Sequence, residues 1–231
     1  MEHKEEHKKE EEPIKKEGSD RALIYGIILL AIILILFFVG INIFKKPDVK
    51  TIEDLNNLNI GGELDSEEGY VYDTAYSFVK LGGLWYTQLK SPSGTREYNI
   101  PFHFGPRELE DLKVEGTLSE TFMGAEEVYI TFDPLGTDLT HIALAIGEFD
   151  QSLITAFGKK PIAACDKNET GACSTRPIIT CKDKGVAVAY FKEEEETKIT
   201  LNDNCIILQG TGLELVRAVD RLLLKWYGVM E

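Results

Sequence analysis

The longest apolar stretch of the chain runs from residue 22 to residue 44 and contains no charged residue. Arg21 precedes it, and Lys45 and Lys46 follow it. A helix rises about 1.5 Å per residue, so a stretch of this length reaches roughly 35 Å, enough to cross a hydrocarbon core of about 30 Å. Because no polar stripe interrupts the apolar positions, the pattern predicts a transmembrane helix. The lipid bilayer, bound through residues 22–44, is therefore the first predicted partner.

Between residues 70 and 104 the chain alternates β-branched and aromatic residues with residues that favour turns. Gly82-Gly83 and the segment 91–94 separate such runs, which predicts a meander of antiparallel strands. Pro101 has no N–H to donate, so the strand that contains it is predicted to lie at a sheet edge or to be bulged. Residues 127–132 predict a further strand.

Two amphipathic helices are predicted from apolar residues at helical spacing, one near residues 138–157 and one near 213–227. Thr137 or Asp138 can cap the first, and Gly228 stands where the second should end. The two apolar stripes are Leu139, Ile142, Ile146, Phe149, Leu153 and Phe157, and Leu215, Val219, Leu222, Leu223 and Trp226. The predicted fold class is α+β, with an antiparallel-rich sheet covered by these two helices and preceded by one transmembrane helix.

These patterns divide the chain into four predicted regions. They are a charged cytoplasmic tail (1–21), the transmembrane helix (22–44), a polar juxtamembrane linker (45–68) and an extracytoplasmic α+β domain (69–231). Within the linker, Thr51 and Asp54 have the spacing of a capping box and predict a short helix.

The chain carries a net charge of −14 from 25 basic and 39 acidic residues. Eight of each lie in residues 1–46, which leaves 17 basic and 31 acidic residues for the domain that follows. An acidic domain argues against nucleic acid as a partner and fits cations or basic proteins. Lys and Arg are more frequent before the apolar stretch than after it, so the N-terminus is predicted to be cytoplasmic. The four glutamates at 193–196 are predicted to form a solvated hairpin tip.

Four cysteines, Cys165, Cys173, Cys181 and Cys205, all lie on the C-terminal side of the apolar stretch. Their spacing matches no zinc site, and their even number is typical of disulfides in an exported domain. Three pairings are open. We favour Cys165–Cys173 with Cys181–Cys205, the second joining two predicted strands, 177–181 and 204–208. Asn168 begins an N-glycosylation sequon, Asn-Glu-Thr, between the first two cysteines.

Few residues are candidates for catalysis. His141, Glu148 and Ser152 share the polar side of the first amphipathic helix, where solvation is the simplest reading. A hydrolase that uses His141 with Glu148 or Asp133 is one alternative. His103 is predicted to be an exposed residue at a sheet edge. The sequence contains no metal-ligand spacing or phosphate-binding loop, so no metal and no cofactor are expected.

Landmarks of the C-terminal domain resemble an uncharacterised group of single-span archaeal surface proteins. They are Leu84 to Leu89, Ile130 to Pro134, Ala164-Cys165, Cys173, Ile179-Thr180-Cys181, Asn204 to Gly210, Leu215, Ala218, Asp220-Arg221 and the ending Gly228-Val229-Met230. The resemblance covers most of residues 70–231. It implies a cell-surface setting and a topology, and it implies no catalytic residue.

From these features we expect a membrane-anchored extracytoplasmic protein for interaction or assembly at the cell envelope. Its expected partner, besides the bilayer, is an envelope protein or another copy of the chain. A single-span receptor or sensor, whose tail signals inward, is a further alternative beside the hydrolase.

Overall fold

The structure, a computed structural model, describes residues 19–44, 51–90 and 97–231 and divides into an N-terminal unit and the compact unit Lys50–Glu231. The N-terminal unit contains α1 (Ser19–Phe44), whose large apolar side chains from Leu23 to Val39 are exposed. Its 26 residues reach about 39 Å, and among the described residues it is the one helix long and apolar enough to cross a membrane. The predicted apolar helix is therefore confirmed. The predicted tail lies almost entirely outside the described residues.

A short helix, α2 (Ile52–Ile60), begins the compact unit. The Thr51 hydroxyl accepts from the backbone N of Asp54 at 3.1 Å, and the Asp54 carboxylate accepts from the backbone N of Thr51 at 3.2 Å. The predicted capping box is thus present. Within the part of the predicted linker that the structure describes, α2 packs on the sheet that follows and buries Asn59 there. Asn56 and Asn59 of this helix hydrogen-bond to the first sheet.

The first sheet is a four-stranded antiparallel meander in the order β1 (Gly69–Tyr72), β2 (Tyr76–Leu81), β3 (Leu84–Lys90) and β4 (Glu97–Phe102). Gly82 and Gly83 connect β2 to β3 with φ of +61° and +88°, a conformation that strains other residues. Among the described strands, β4 pairs with β3 alone, which confirms the predicted edge position of Pro101. The turn predicted at 91–94 lies outside the described residues.

The second sheet has six strands, β5 (Val114–Leu118), β6 (Glu127–Phe132), β7 (Lys160–Ala163), β8 (Ala187–Glu193), β9 (Lys198–Asp203) and β10 (Cys205–Gly210). Their spatial order is β5-β9-β10-β8-β6-β7. Only β9 and β10 are antiparallel neighbours; the other pairs of this sheet are parallel. The α+β class is confirmed, with the antiparallel pairing concentrated in the first sheet.

Three helices accompany the second sheet: α3 (Glu120–Met123), α4 (Leu139–Thr155) and α5 (Leu213–Trp226). α4 connects β6 to β7, and it packs on α5 and on β8. The Asp138 carboxylate caps α4 by accepting from the backbone N of His141 at 3.4 Å. Gly228 follows α5 with a φ of +74°. Both predicted helices and their end signals are confirmed.

Aromatic side chains join the layers into one core. Phe149 of α4 meets Phe191 of β8 with ring centroids 5.6 Å apart, and Trp226 of α5 lies 5.8 Å from Phe149. Phe102, fully buried on the first sheet, lies edge-on to Tyr227 with centroids 6.3 Å apart. The two sheets therefore share a core through the end of α5.

Two disulfides link the C-terminal half, Cys165–Cys173 and Cys181–Cys205, with Cα atoms 5.9 and 5.3 Å apart. This is the pairing that the sequence analysis favours. The sequon residue Asn168 is exposed on the loop that the first disulfide closes.

The segment 177–181 is not the strand that the sequence predicts. Its one ladder contact is an isolated bridge from Ile178 to Cys165. The Asp183 carboxylate accepts from the backbone N of Thr180 at 2.8 Å, so the backbone is satisfied locally and turns instead of extending. The second disulfide consequently joins a turn to β10 and does not join two strands.

Candidate functional site

The residues that the hydrolase alternative would use pair with other side chains. His141 Nδ1 lies 2.7 Å from Asp138 Oδ2, and Lys167 Nζ lies 2.7 Å from Asp133 Oδ2. Glu148 follows His141 by two turns of α4, about 10 Å along the helix axis. In the described residues no hydrogen bond or ion pair joins His141 to Glu148 or to Asp133. The hydrolase arrangement considered from the sequence is therefore not assembled.

A crevice of about 490 Å³ lies at the carboxyl ends of three neighbouring parallel strands, β6, β8 and β10. We call it the carboxyl-end crevice. It is lined by the turn after β6 between Asp133 and Thr137, by the end of β8 from Tyr190 to Glu195, and by Thr211 after β10.

The position of this crevice follows from the order of the strands. From β6 the chain continues through α4 to β7 on one side, whereas from β8 it continues through β9 to β10 on the other side. The connections diverge between β6 and β8. In open sheets with parallel strands, ligands bind outside the carboxyl ends at such a divergence. Topology therefore marks the carboxyl-end crevice as a candidate binding site, without specifying the ligand.

The Glu193 carboxylate binds the segment just before α4, at the wall of this crevice. Its carboxylate accepts from the backbone N of Thr137 at 2.8 Å, from that of Asp138 at 3.2 Å, and from the Thr137 hydroxyl. The Thr137 hydroxyl, more than the backbone amides, lowers the pKa of Glu193. The glutamate run is thus not a hairpin tip: β8 and β9 are not neighbours, and Glu193 is bound to the protein. The backbone N–H groups that lead into α4 therefore have a protein acceptor, the Glu193 carboxylate.

The remaining charges leave the carboxyl-end crevice acidic. Four carboxylates, from Asp133 and Glu193 to Glu195, and one lysine, Lys192, line it. Lys192 Nζ lies 2.9 Å from Glu194 Oε1, and Asp133 pairs with Lys167 from the neighbouring loop. Exposed ion pairs of this kind contribute little to stability. They leave an excess of negative charge at the site.

Exposed leucines lie beside the acidic lining. Leu135, on the turn that lines the crevice, is 56% exposed, and Leu139 and Leu213, the first residues of α4 and α5, are 44% and 47% exposed. The two helix starts are close, because the Asp138 carboxylate lies beside Gly212. Carboxylates and apolar side chains are therefore presented on one end of the compact unit.

A second candidate site is a groove of about 240 Å³ between β4 and α4. β4 lines it with residues 97–101, and α4 lines it with Glu148, Gln151, Ser152 and Thr155. The His103 ring, just beyond β4, contacts the Glu148 carboxylate through Nδ1, and Phe104 N donates to Asp220 Oδ2 at 2.8 Å. We call His103, Glu148 and Asp220 the buried cluster.

Burial sets the protonation of the two acids in this cluster. Asp220 is fully buried, and burial, followed by the negative charge of Glu148, raises its pKa well above the ordinary value. Burial also raises the pKa of Glu148, although the adjacent His103 opposes this shift. In the described residues Glu148 Oε2 and Asp220 Oδ1 are buried and receive no N–H or O–H donor.

Sequence reasoning missed the buried cluster. His103 was expected to be exposed, but its side chain is 29% exposed because α4 covers the edge of the first sheet. Glu148 and Ser152, expected on a solvated helix face, are turned toward β4. The one signal was Asp220, an acid next to Val219 in the apolar stripe of α5. An ionisable residue at such a position needs a buried partner.

Within the described residues, no group of three or more His, Cys, Asp or Glu side chains is arranged to hold a metal ion. Comparison of the chain with protein-family models, with curated proteins and with solved structures finds no match. The resemblance to single-span archaeal surface proteins stays a prediction.

Proposed function

We propose that the chain is a membrane-anchored extracytoplasmic protein that takes part in interaction or assembly at the cell envelope. The carboxyl-end crevice is its partner-binding surface, and the partner presents basic and apolar side chains. The observation that carries the proposal is this acidic crevice with its exposed leucines at the divergence point of the second sheet.

The anchoring part rests on three features of the chain. α1 exposes apolar side chains along its length and is long enough to cross a bilayer. Lys and Arg are concentrated before it, which favours a cytoplasmic N-terminus. The two disulfides in the compact unit are typical of an oxidising compartment. Together they favour an extracytoplasmic location for residues 69–231.

The binding part rests on charge and apolar exposure. A carboxylate-rich lining attracts Lys or Arg side chains of a partner and disfavours acidic ones. Apolar side chains beside it can be buried on contact, which supplies the non-directional part of the affinity. An envelope protein with a basic and apolar segment fits both properties. The hydrolase alternative has less support, because in the described part of the chain His141 pairs with Asp138 and has no hydrogen bond or ion pair to Glu148 or Asp133.

Site-specific photocrosslinking in native membranes tests the proposal with the full-length chain. A photoreactive residue at Leu135 should capture a discrete envelope protein, or a second copy of the chain. The same probe at Leu81, 43% exposed on the first sheet, is the matched control and should not capture it. Equal capture at both positions would contradict a specific surface.

Charge reversal adds a second test of the same surface. Glu194→Lys with Glu195→Lys should abolish the crosslink at Leu135, because the lining would then repel a basic partner. The control pair is Glu67→Lys with Glu68→Lys, on exposed residues just before the first sheet. It changes the net charge by the same amount and should leave the crosslink intact. If both pairs act alike, the crevice is not the binding surface.

A further inference from the structure

Three elements meet at the buried cluster. His103 follows β4 of the first sheet, Glu148 lies on α4 and Asp220 lies on α5. His103 contacts Glu148, and the backbone N of Phe104 donates to Asp220 Oδ2 at 2.8 Å. The cluster therefore ties the end of β4 to the two helices that lie on the second sheet.

The buried cluster contains more hydrogen-bond acceptors than donors, which indicates a bound proton. Glu148 and Asp220 both meet the segment His103–Phe104, Glu148 through the His103 ring and Asp220 through the backbone N of Phe104. If both were ionised, they would repel, and Glu148 Oε2 and Asp220 Oδ1 would both be buried without a donor among the described residues. A proton on one carboxyl group makes it the donor to the other. One proton held between Glu148 Oε2 and Asp220 Oδ1 would satisfy both of these buried oxygens.

We propose that Glu148 and Asp220 share one proton in the folded protein and that this pair, with His103, forms a pH-sensitive clasp. With the proton bound, the pair carries one negative charge beside His103, and β4 is fastened to α4 and α5. When the proton leaves to water, two negative charges occupy a buried site and the attachment of β4 weakens. Because β4 forms one wall of the groove, external pH would then control the shape of the groove.

The directions of the pKa shifts agree with this arrangement. The pKa of Asp220 is raised by burial and by the charge of Glu148, and burial raises the pKa of Glu148 as well. In the unfolded chain these carboxyl groups titrate near pH 4. The folded state holds the proton to higher pH, so the stabilisation is complete below about pH 4 and is lost as pH rises through the folded-state pKa.

Other titratable groups face the cluster or its groove. They are Glu97 and Tyr98 on β4, and Arg217 and Tyr227 on and after α5. Arg217 is engaged by Asp111 at 2.7 Å, and β8 and β10 beneath the helices present apolar residues such as Phe191 and Leu208. His103 is thus the basic side chain that contacts Glu148 of this pair.

The test compares full-length wild type with Asp220→Asn in detergent micelles from pH 4 to pH 9. The carboxamide imitates the protonated acid: its NH₂ can donate to Glu148 while its carbonyl accepts from Phe104. We expect equal melting temperatures near pH 4 and a variant more stable than wild type by roughly 3 °C or more near pH 8.5. Glu97→Gln, at the rim of the groove, should keep the wild-type profile. A variant that is less stable than wild type by the same amount at every pH would show that Asp220 is an ionised acceptor and would overturn the proposal.

A second measurement applies even if Asp220→Asn does not fold. Infrared spectra of wild type at pH 7, compared with those of Glu148→Gln, should show a protonated carboxyl band that the variant alters. Hydrogen exchange of the amides of residues 97–104, corrected for intrinsic rates, should accelerate at high pH in wild type. Absence of the carboxyl band at pH 7 contradicts the shared proton, and a pH-independent exchange of β4 contradicts the clasp. Neither result depends on the carboxyl-end crevice.

Discussion

The side chain of Asn59 on α2 donates a hydrogen bond of 3.0 Å to the backbone carbonyl of Tyr70 on β1. The same amide reaches Ser77 Oγ at 2.7 Å, and Asn59 is 7% exposed. Asn59 therefore binds α2 to the first sheet, in a region whose composition resembles a linker.

Replacing Asn59 with Ala should lower the free energy of unfolding by roughly 1–3 kcal/mol, because the Tyr70 carbonyl would lose a buried donor. Asn57→Ala on the exposed side of the same helix should change it by less than about 0.5 kcal/mol. Urea unfolding followed by fluorescence measures both. Equal effects would mean that α2 does not depend on this contact.

Gly116 and Gly147 should respond in opposite ways to substitution by Ala. Gly116 has a φ of +88°, and a Cβ there would lie 2.0 Å from the Leu201 carbonyl oxygen, so Gly116→Ala should cost roughly 3 kcal/mol or more. At Gly147 in α4, nothing lies within 4 Å of the added methyl group, and Ala should stabilise by about 0.5–1 kcal/mol. Thermal unfolding of the two variants checks the contrast. Destabilisation of similar size at both positions would contradict it.

The two disulfides should differ in their contribution because they close loops of different length. Cys181–Cys205 has a sequence separation of 24 and Cys165–Cys173 one of 8, so the chain-entropy model gives roughly 3.5 and 2.6 kcal/mol. Replacing each cysteine pair by Ser should lower the free energy of unfolding in both variants. The larger decrease is expected when Cys181 and Cys205 are replaced. Non-reducing peptide mapping of wild type should recover these two linkages, and any other linkage would refute the pairing.

Asn168 should carry a glycan when the chain is made in a host that modifies exported sequons. Thr170→Ala should remove the corresponding mass, whereas Thr170→Ser should retain it, because Ser keeps both the sequon and a hydroxyl near Cys173. Mass spectrometry of the peptide between Cys165 and Cys173 reads the outcome. A modified Thr170→Ala variant would show that this sequon is not the acceptor.

Asp150 on α4 should make the folded protein less stable toward unfolding as the pH rises. Burial raises its pKa to about 6, so the folded state favours the neutral acid. The associated stabilisation is complete below about pH 4 and is lost as pH rises through 6. Asp150→Asn should therefore gain stability over wild type between pH 5 and pH 7.5.

Asp138→Asn is the control for this prediction, with the opposite sign. The hydrogen bond from His141 lowers the pKa of Asp138, so its carboxylate stabilises the fold above the unfolded pKa. This variant should be less stable than wild type at every pH above about 4, and the difference should disappear as pH falls through the lowered pKa of Asp138. Thermal melts at matched pH measure both variants. Parallel pH profiles for the two would contradict the argument from burial.

Features that depend on neighbours along the chain were predictable. Twenty-three consecutive residues without charge specify α1, and apolar residues every three or four positions specify α4 and α5. Caps such as the Thr51–Asp54 pair were also visible, because their partners are three residues apart. In each case the residues that interact are a few positions apart, so their spacing in the sequence places them next to each other in the helix.

Features that depend on distant segments were decided by the tertiary structure. β8 lies between β6 and β10, and this order, which no local pattern encodes, creates the carboxyl-end crevice. His103 meets Glu148, 45 residues away, and Phe104 meets Asp220, 116 residues away, because the edge of the first sheet packs against α4 and α5. The sequence by itself determined α1, α2, α4 and α5, since helical hydrogen bonds are local. The packing of sheets and helices decided which side chains are buried together, and burial in turn shifts their pKa values.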